Sequence, residues 1–563
     1  MEYSAIFHDM DKRFCYAIDK DLFVIRVQVK KDDMKEVILH YEDKYIPMER
    51  KDTRMTLPMK KVATSQFHDY YEAQLRMNLI CLRYFFEFTD MQGEKVYYGN
   101  YEFDKECITN RDRMFDCPQN LREEEMFEVP QWAANKVVYQ IFPSRFAATQ
   151  PVDKELWYKA PITPVDDLHG NLRGIIEHLD YIKDLGIDVV YLTPIFKSNS
   201  CHKYDTIDYY QVDPSFGTTE DLKELVQKSH ERGMKVVLDA VYNHSGREFF
   251  AFQDILEKGE KSKYLDWYFI DELPPRGEWG EIPNFKCFGY YGGMPKLNLK
   301  NPEVEKYITD VACYWIKECD IDGWRLDVGD EISHFFWKNF RKAIKAVKKD
   351  MLIIGEIWHY AGDFLEGDEW DTVMNYPFYL NLIDLLADEK INVSQFVQNL
   401  GYLKGRLNKK CYPLMWNLID SHDTARFLHL CHDNKKKQHL AAAFQLLLPG
   451  MPMVYYGDEY AMPGANDPDC RRGMYWDEEY QDKEMYNWYK KLMQIRKAHA
   501  CIVEGEMIEI ITNDDDDTIV MIRKNGEETI AMLFNCGSSV KEFNEYAEKY
   551  NLLTDSAFDG KVD

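Results

Sequence analysis

The sequence predicts a multidomain protein built on a closed (β/α)8 barrel, with an N-terminal β-sandwich ahead of it and a short C-terminal β domain behind. Two patterns and one magnitude carry this reading. From about residue 126 to 500, eight compact β-branched runs alternate with helical stretches. Over residues 1–125 and again over 501–563 the pattern is short alternating strands with no helical period. At 563 residues the chain also exceeds what one hydrophobic core supports.

Each element follows from a local signal. In the first region, runs such as LFVIRVQV and LRYFFEF alternate apolar and polar residues and are separated by Asp, Lys, Asn and Gly, as in the strands of a sandwich. Around residues 120–135 this gives way to LREEEMFEVPQWA, a polar stretch with a proline, which places a linker there and a boundary near 125. The eight barrel strands are KVVYQIF, IDVVYLTP, MKVVLDAV, DGWRLDV, MLIIGEIW, DTVMNYPF, YPLMWNLID and MPMVYYGDE. Between them, LRGIIEHLDYIKDLG and TEDLKELVQKSHERG are apolar at helical spacing and closed by glycine. Eight strands alternating with helices indicate a closed barrel rather than an open sheet. The stretch from about 244 to 299 is too long for a simple connection and rich in aromatics and glycine, so it reads as an excursion over the barrel mouth. In EMIEIITNDDDDTIVMIRKN the four aspartates mark a hairpin tip in the last domain.

Composition excludes several partners. A formal net charge of -27 repels a phosphate backbone or an anionic membrane, so no nucleic-acid or membrane partner is expected. The 13 cysteines are scattered singly, with no C-x-x-C pair, which supports neither a disulfide framework nor a zinc site and fits a reducing compartment. The N-terminal MEYSAIFHDMDKRF lacks the apolar core of a secretion signal, and the apolar stretch Leu440–Leu448 is interrupted by Gln445 and stopped by Pro449, short of a membrane span. A cytoplasmic protein is the expectation.

In a barrel of this kind reactive groups stand at the C-terminal ends of the strands. Carboxylates recur there: Asp239 ends VVLDA, Asp327 ends GWRLD, Glu356 ends LIIGE, and Asp420 and Asp423 lie in LIDSHD. Any one alone reads as a solvated strand end or a helix cap; several on different strands read as a site. Arg325 and Asp327 are two residues apart and share a face, so the guanidinium is expected to keep Asp327 ionised, as a nucleophile requires. Glu356 lies between LIIG and Ile357–Trp358, apolar surroundings that would hold a proton for donation. Retaining glycoside hydrolysis needs this division of labour, one carboxylate attacking the anomeric carbon and a second protonating the leaving oxygen about 5 Å away. Asp423 would be a third carboxylate, for sugar hydroxyls, and His244 and His422 would donate hydrogen bonds to hydroxyls as well.

The segments DAVYNH, GWRLDVGDE, GEIW and LIDSHD resemble, in order and spacing, the conserved regions of the α-amylase family of glycoside hydrolases. The resemblance runs from VVYQIFPSRF to the end of the barrel and implies an inserted domain B. By motif it makes Asp327 the nucleophile, Glu356 the acid/base and Asp423 the transition-state stabiliser. It places Arg325, Asp239, Asn243, His244 and His422 in supporting positions, and Tyr204 of HKYDTIDYY under the sugar at the cleaved position. Within the family, MPKLN, EIWH and the extra N-terminal domain resemble the neopullulanase, cyclomaltodextrinase and maltogenic amylase group, so His202, Lys296 and Trp358 join the expected substrate contacts. The same resemblance implies α-glucan oligosaccharides or cyclodextrins as substrates, cleaved at α-1,4 and also α-1,6 bonds, with transglycosylation as a side reaction. It implies a homodimer formed through the N-terminal domain, which is carbohydrate-binding-module-like.

Two departures stand out. The group often carries calcium on Asn and Asp shortly after the first barrel strand, with a Gly-Gly-Asp further on; here those stretches read AATQPVDKELW and HGN, so that site looks degraded and no cofactor is expected to be required. GDE also stands where the group has ANE. The alternatives on the same barrel are an oligo-1,6-glucosidase or α-glucosidase, and a non-catalytic glycan-binding protein, which would need a lost carboxylate.

Overall fold

The computed structural model describes residues 1–47, 54–76, 80–118, 126–277 and 280–563. Part of the expected linker, with the boundary at 125, lies outside the described residues. Two compact units form. One comprises Met1–Glu128 with Ala361–Asp368 and Asn392–Tyr412; the other comprises Val129–Tyr360, Glu369–Ile391 and Pro413–Asp563.

The first unit is an antiparallel sandwich. One sheet orders the strands Cys15–Ala17, Leu22–Lys30, His68–Arg76 and Lys60–Thr64; the other is built around Met34–Asp43 and Cys81–Asp90. Along Leu22–Lys30 the side chains of Phe23, Ile25, Val27 and Val29 enter the core at period two, where they meet Val37, Leu39, Phe86 and Phe88 of the second sheet. Arg26, on the opposite face, is buried, paired with Glu72 at 3.0 Å, and donates to the carbonyl of Leu407 at 2.8 Å. The unit thereby takes in a segment that the sequence pattern assigns to the barrel domain. Two glycines permit the approach: a Cβ at Gly401 would lie 1.9 Å from the Thr64 carbonyl oxygen and one at Gly405 2.3 Å from the Tyr70 ring. Although the cysteines are single in the sequence, the buried thiols of Cys15 and Cys117 meet at 2.8 Å across the sandwich.

The second unit is the barrel. Its strands are β1 (Val138–Ile141), β2 (Val189–Leu192), β3 (Lys235–Ala240), β4 (Gly323–Leu326), β5 (Leu352–Gly355), β6 (Thr372–Val373), β7 (Trp416–Asn417) and β8 (Met451–Tyr455). All eight expected strands are present, parallel, in sequential order, with β1 beside β8 and a bridge from Met374 to Trp416 closing β6 onto β7. β-branched and other apolar side chains fill both faces of strands that helices cover outside. β6 is only two residues long: Asn375 caps the helix Tyr376–Leu382, in which Pro377 occupies the first turn.

TEDLKELVQKSHERG forms the helix Thr219–Glu231, opened by a reciprocal capping box between Thr218 and Asp221. LRGIIEHLDYIKDLG, read as one helix, forms two, Leu172–Glu177 and Leu179–Leu185. The break is at His178, whose Nδ1 takes the Gly174 carbonyl at 2.7 Å in place of its own backbone N–H. Among the described residues, the excursion between β3 and the helix Pro302–Cys319 contains the α-helix Phe250–Lys258, short 3-10 turns and isolated bridges, one of them His244 to Lys296. The last domain opens on a short helix, Cys501–Glu504, followed by three antiparallel strands with Asp514–Asp517 at the first hairpin tip. Among the described residues no helix is long and apolar enough to cross a membrane.

Candidate active site

Register sets the first pair of side chains. Asp239 on β3 and Arg325 on β4 are Cα partners, and Leu326 pairs with Gly355, so Asp327 and Glu356 leave neighbouring strands side by side. Arg325 Nη1 lies 3.0 Å from Asp239 Oδ2 and 2.9 Å from Asp327 Oδ1. Its Nη2 lies 2.8 Å from Glu356 Oε2 and 3.9 Å from Asp423 Oδ2, the former an ion pair by distance rather than an aligned hydrogen bond. One fully buried guanidinium thus faces four carboxylates from four different strand ends.

That charge imbalance corrects the sequence-based electrostatics. Arg325 does pull the Asp327 pKa down, but burial is the larger influence, and Glu356, Asp239 and Asp423 push the same way as burial, so the Asp327 carboxyl sits well above the ordinary range. Burial likewise raises Asp239 to about 6, against the pull of Arg325 and of the Tyr191 hydroxyl. The cluster therefore keeps a proton to unusually high pH, and its steps belong to the group rather than to one residue. Asp327 Oδ1 is tied to Arg325, whereas Oδ2 is buried without a hydrogen-bond partner among the described residues.

Glu356 is not in apolar surroundings. Besides the guanidinium, its Oε2 accepts from the Val328 N–H at 3.0 Å and its Oε1 from the Trp358 indole N–H at 3.1 Å.

Aromatic and imidazole groups wall the cluster on one side. The Tyr204 hydroxyl donates to Asp239 Oδ2 at 3.1 Å and meets His422 Nε2, and the two rings stack at 5.5 Å and 7°. Gln140 donates to His422 Nδ1 at 2.9 Å, which leaves the imidazole proton on Nε2, 3.3 Å from Asp423 Oδ2. Asp423 is also bound by Arg471, at 3.3 Å, and Arg471 donates to the His422 carbonyl at 2.7 Å. His202 stacks against Tyr204 and accepts from its backbone N–H at 3.1 Å; burial lowers its pKa to about 4, so it is neutral.

The remaining expected contacts divide. His244 spends its one N–H on the Tyr204 carbonyl at 3.1 Å, and burial lowers its pKa to about 3, so it braces the loop instead of offering a donor to a hydroxyl. Asn243 donates to Glu331 Oε2 at 3.0 Å, and Lys296 binds both Asn243 and Glu331, so these three form a separate polar group. Trp358, 42% exposed, stacks flat on Tyr376 at 3.9 Å and 13°. Asp420 stays out of the cluster: it is buried and accepts the Phe427 N–H at 2.7 Å.

Sequence reasoning missed Tyr191, Gln140, Glu331, Tyr376 and Arg471. Gln140 carried a signal, a polar residue inside the apolar run KVVYQIF; Arg471 ends the short 3-10 turn Asp469–Arg471 beyond β8 and carried none.

After β1, Asp153 caps the helix Lys154–Trp157, and the Asn171 amide donates to Thr149 Oγ1 at 3.1 Å. Among the described residues no group of three or more His, Cys, Asp or Glu is placed to hold a metal ion.

Acidic groups gathered on one buried cation at the C-terminal rim of a (β/α)8 barrel, beside flat aromatic faces, define a glycoside hydrolase of the retaining type. Residues 140–481 match the α-amylase catalytic domain and residues 1–119 the α-amylase N-terminal Ig-like domain. A cyclomaltodextrinase from Geobacillus thermopakistaniensis is 41% identical over 546 residues, 96% of this chain and 92% of that one. A maltogenic α-amylase from Bacillus acidopullulyticus is 40% identical, again over 96% and 92%. The solved structure of a cyclomaltodextrinase superposes with a TM-score of 0.92 at 38% identity, covering 96% of this chain and 92% of the other. The chain belongs to the α-amylase family and is a glycoside hydrolase.

Proposed function

We propose that the protein hydrolyses cyclodextrins, maltooligosaccharides or pullulan at α-1,4 and also α-1,6 bonds, with retention. Asp327 attacks the anomeric carbon through Oδ2, Glu356 protonates the leaving oxygen and then deprotonates water, and Asp423 binds hydroxyls of the distorted ring. The observation that carries this is the bridge through Arg325: two carboxylates held on the two terminal nitrogens of one guanidinium suit the short separation of a retaining pair, about 5 to 5.5 Å, better than the wider inverting one. The similarity to a cyclomaltodextrinase and a maltogenic α-amylase favours small or cyclic substrates. Trp358, exposed and backed by the buried Tyr376 ring, offers a surface for an acceptor sugar, so transfer to a hydroxyl other than water accompanies hydrolysis.

The same reading makes the protein a cytoplasmic homodimer whose hydrolysis needs no calcium. Incubation with γ-cyclodextrin, pullulan and maltotriose, with products separated by chromatography, tests the substrate class; release of maltose and glucose from γ-cyclodextrin is expected. Asp327→Asn and Glu356→Gln should each lower kcat by at least about 10³-fold with the fold intact. Unchanged sugar release by either variant would refute the assignment.

A further inference from the structure

The loop that carries His202 and Tyr204 contains a lysine that the proposed chemistry does not use. Lys203 has a φ of 64°, in the left-handed region where glycine is the natural occupant and a long side chain is disfavoured. It is nevertheless 6% exposed, with its ammonium inside the protein. Nζ lies 3.0 Å from Asp213 Oδ2, donates to the Ser198 carbonyl at 3.3 Å, and stands 5.2 Å from the centre of the Phe216 ring. Buried lysines are rare unless paired, and this one is paired with a carboxylate that has other work.

Asp213 gathers donors from both ends of the loop. Its Oδ2 also accepts the Ser198 N–H at 3.0 Å, while Oδ1 accepts the backbone N–H and hydroxyl of Ser215 at 2.9 and 2.6 Å. One oxygen therefore closes the turn from residue 198 to residue 203. On the far side of Lys203, the Tyr204 carbonyl is held by His244, and the Gly246 N–H donates to the Thr206 carbonyl at 2.7 Å. The turn is fastened before and after Tyr204, and in that arrangement its hydroxyl reaches both Asp239 and His422.

We infer that Lys203 is a positioning residue for hydrolysis: its ion pair with Asp213 holds the backbone in a conformation it would otherwise leave, and so fixes Tyr204 against Asp239 beside the reacting carbon. A glycine would permit the conformation but not enforce it; the buried ammonium enforces it. The inference rests on the proposed roles of Asp327 and Tyr204.

The test compares Lys203→Met, Asp213→Asn and Lys203→Arg with wild type on γ-cyclodextrin. Either of the first two, in folded form, should lose kcat by about tenfold or more with KM within threefold, because the displaced group acts at the reacting carbon rather than on outlying sugars. The double variant should lose little beyond either single one, and Lys203→Arg should recover most of the rate. Hydrogen exchange of residues 198–206 should quicken in Lys203→Met and in Asp213→Asn, a readout independent of any substrate. A folded Lys203→Met or Asp213→Asn with kcat within twofold of wild type, or with unchanged exchange in that segment, overturns the inference. Failure of wild type on all three glucans overturns the functional reading instead, and leaves the exchange result to decide the role of the ion pair.

Discussion

Arg325 Nη2 stands 2.8 Å from Glu356 Oε2 while Nη1 of the same guanidinium stands 2.9 Å from Asp327 Oδ1. One cation thus sets the distance and the charge balance between the two groups proposed to break the bond. Arg325 is fully buried, so it cannot exchange these partners for water.

Loss of that cation should be worse than loss of either partner's geometry. Arg325→Met would leave Asp239, Asp327 and Glu356 without their shared cation, while Asp423 keeps Arg471, so proton uptake by the cluster is expected and kcat should fall by at least about 10³-fold. Kinetics together with thermal melting checks this; a stable variant with near-normal kcat contradicts the role given to the bridge.

The acid limb of kcat/KM should lie well above the ordinary aspartate value of about 3.9. Asp239 is raised to about 6, and Asp327 is also raised well above the ordinary range by burial and its acidic neighbours, so the rate should fall as pH drops through the raised range, when the proposed nucleophile takes up its proton. The stability linkage has the opposite slope. A folded cluster that binds protons more tightly than the unfolded chain contributes stability fully below the unfolded value and loses it as pH rises through 6. A pH–rate profile on γ-cyclodextrin with an acid limb at or below pH 4 would contradict the charge balance described.

Tyr191→Phe should raise that limb further. The hydroxyl donates to Asp239 Oδ2 at 2.6 Å and lowers its pKa, so its removal strengthens proton retention. A loss of about tenfold in kcat/KM near pH 6, narrowing toward pH 8, is expected from pH-resolved kinetics.

Asp322 gives the reverse pH signature at the other end of β4. It is buried and accepts from His230 at 2.6 Å, Lys235 at 2.8 Å and the Val236 N–H at 3.0 Å. These contacts outweigh burial and lower its pKa to about 2. Its contribution is therefore complete above the unfolded value, near 4, and disappears as pH falls toward 2. Asp322→Asn should cost about 2 kcal/mol at pH 7 by denaturant unfolding, and much less near pH 2.5.

Gly355→Ala should damage catalysis through packing alone. A Cβ there would lie 2.1 Å from the Trp370 ring, so the strand end carrying Glu356 must shift. A loss of about 1 to 3 kcal/mol in stability and a fall in kcat are expected, read by melting and kinetics. In contrast, EDTA should leave both the rate and the melting temperature unchanged.

Much of the molecule was legible in the chain. Local hydrophobic period decided all eight barrel strands, because strands buried on both faces are mostly apolar and are punctuated by helices. Period two placed Arg325 and Asp327 on one face, and the carboxylates at strand ends followed from where a closed barrel presents its reactive groups. Where the local signal was weak, the reading slipped: His178 broke one expected helix by taking the Gly174 carbonyl, and β6 stopped after two residues.

Only the tertiary structure decided the electrostatics. Spacing puts a guanidinium near Asp327 but cannot say that the same group is shared with Asp239, Glu356 and Asp423, so it could not reveal the raised carboxyl pKa values. Nor could it show that Glu356 is ringed by donors, that His244 is committed to a backbone carbonyl, or that Arg471 reaches Asp423 from a short 3-10 turn beyond β8. The physical reason is one of range. Period, caps and strand ends are written over a few consecutive residues, whereas a pKa depends on every charge and every solvent-excluding group within several ångströms, gathered here from strands and loops more than two hundred residues apart.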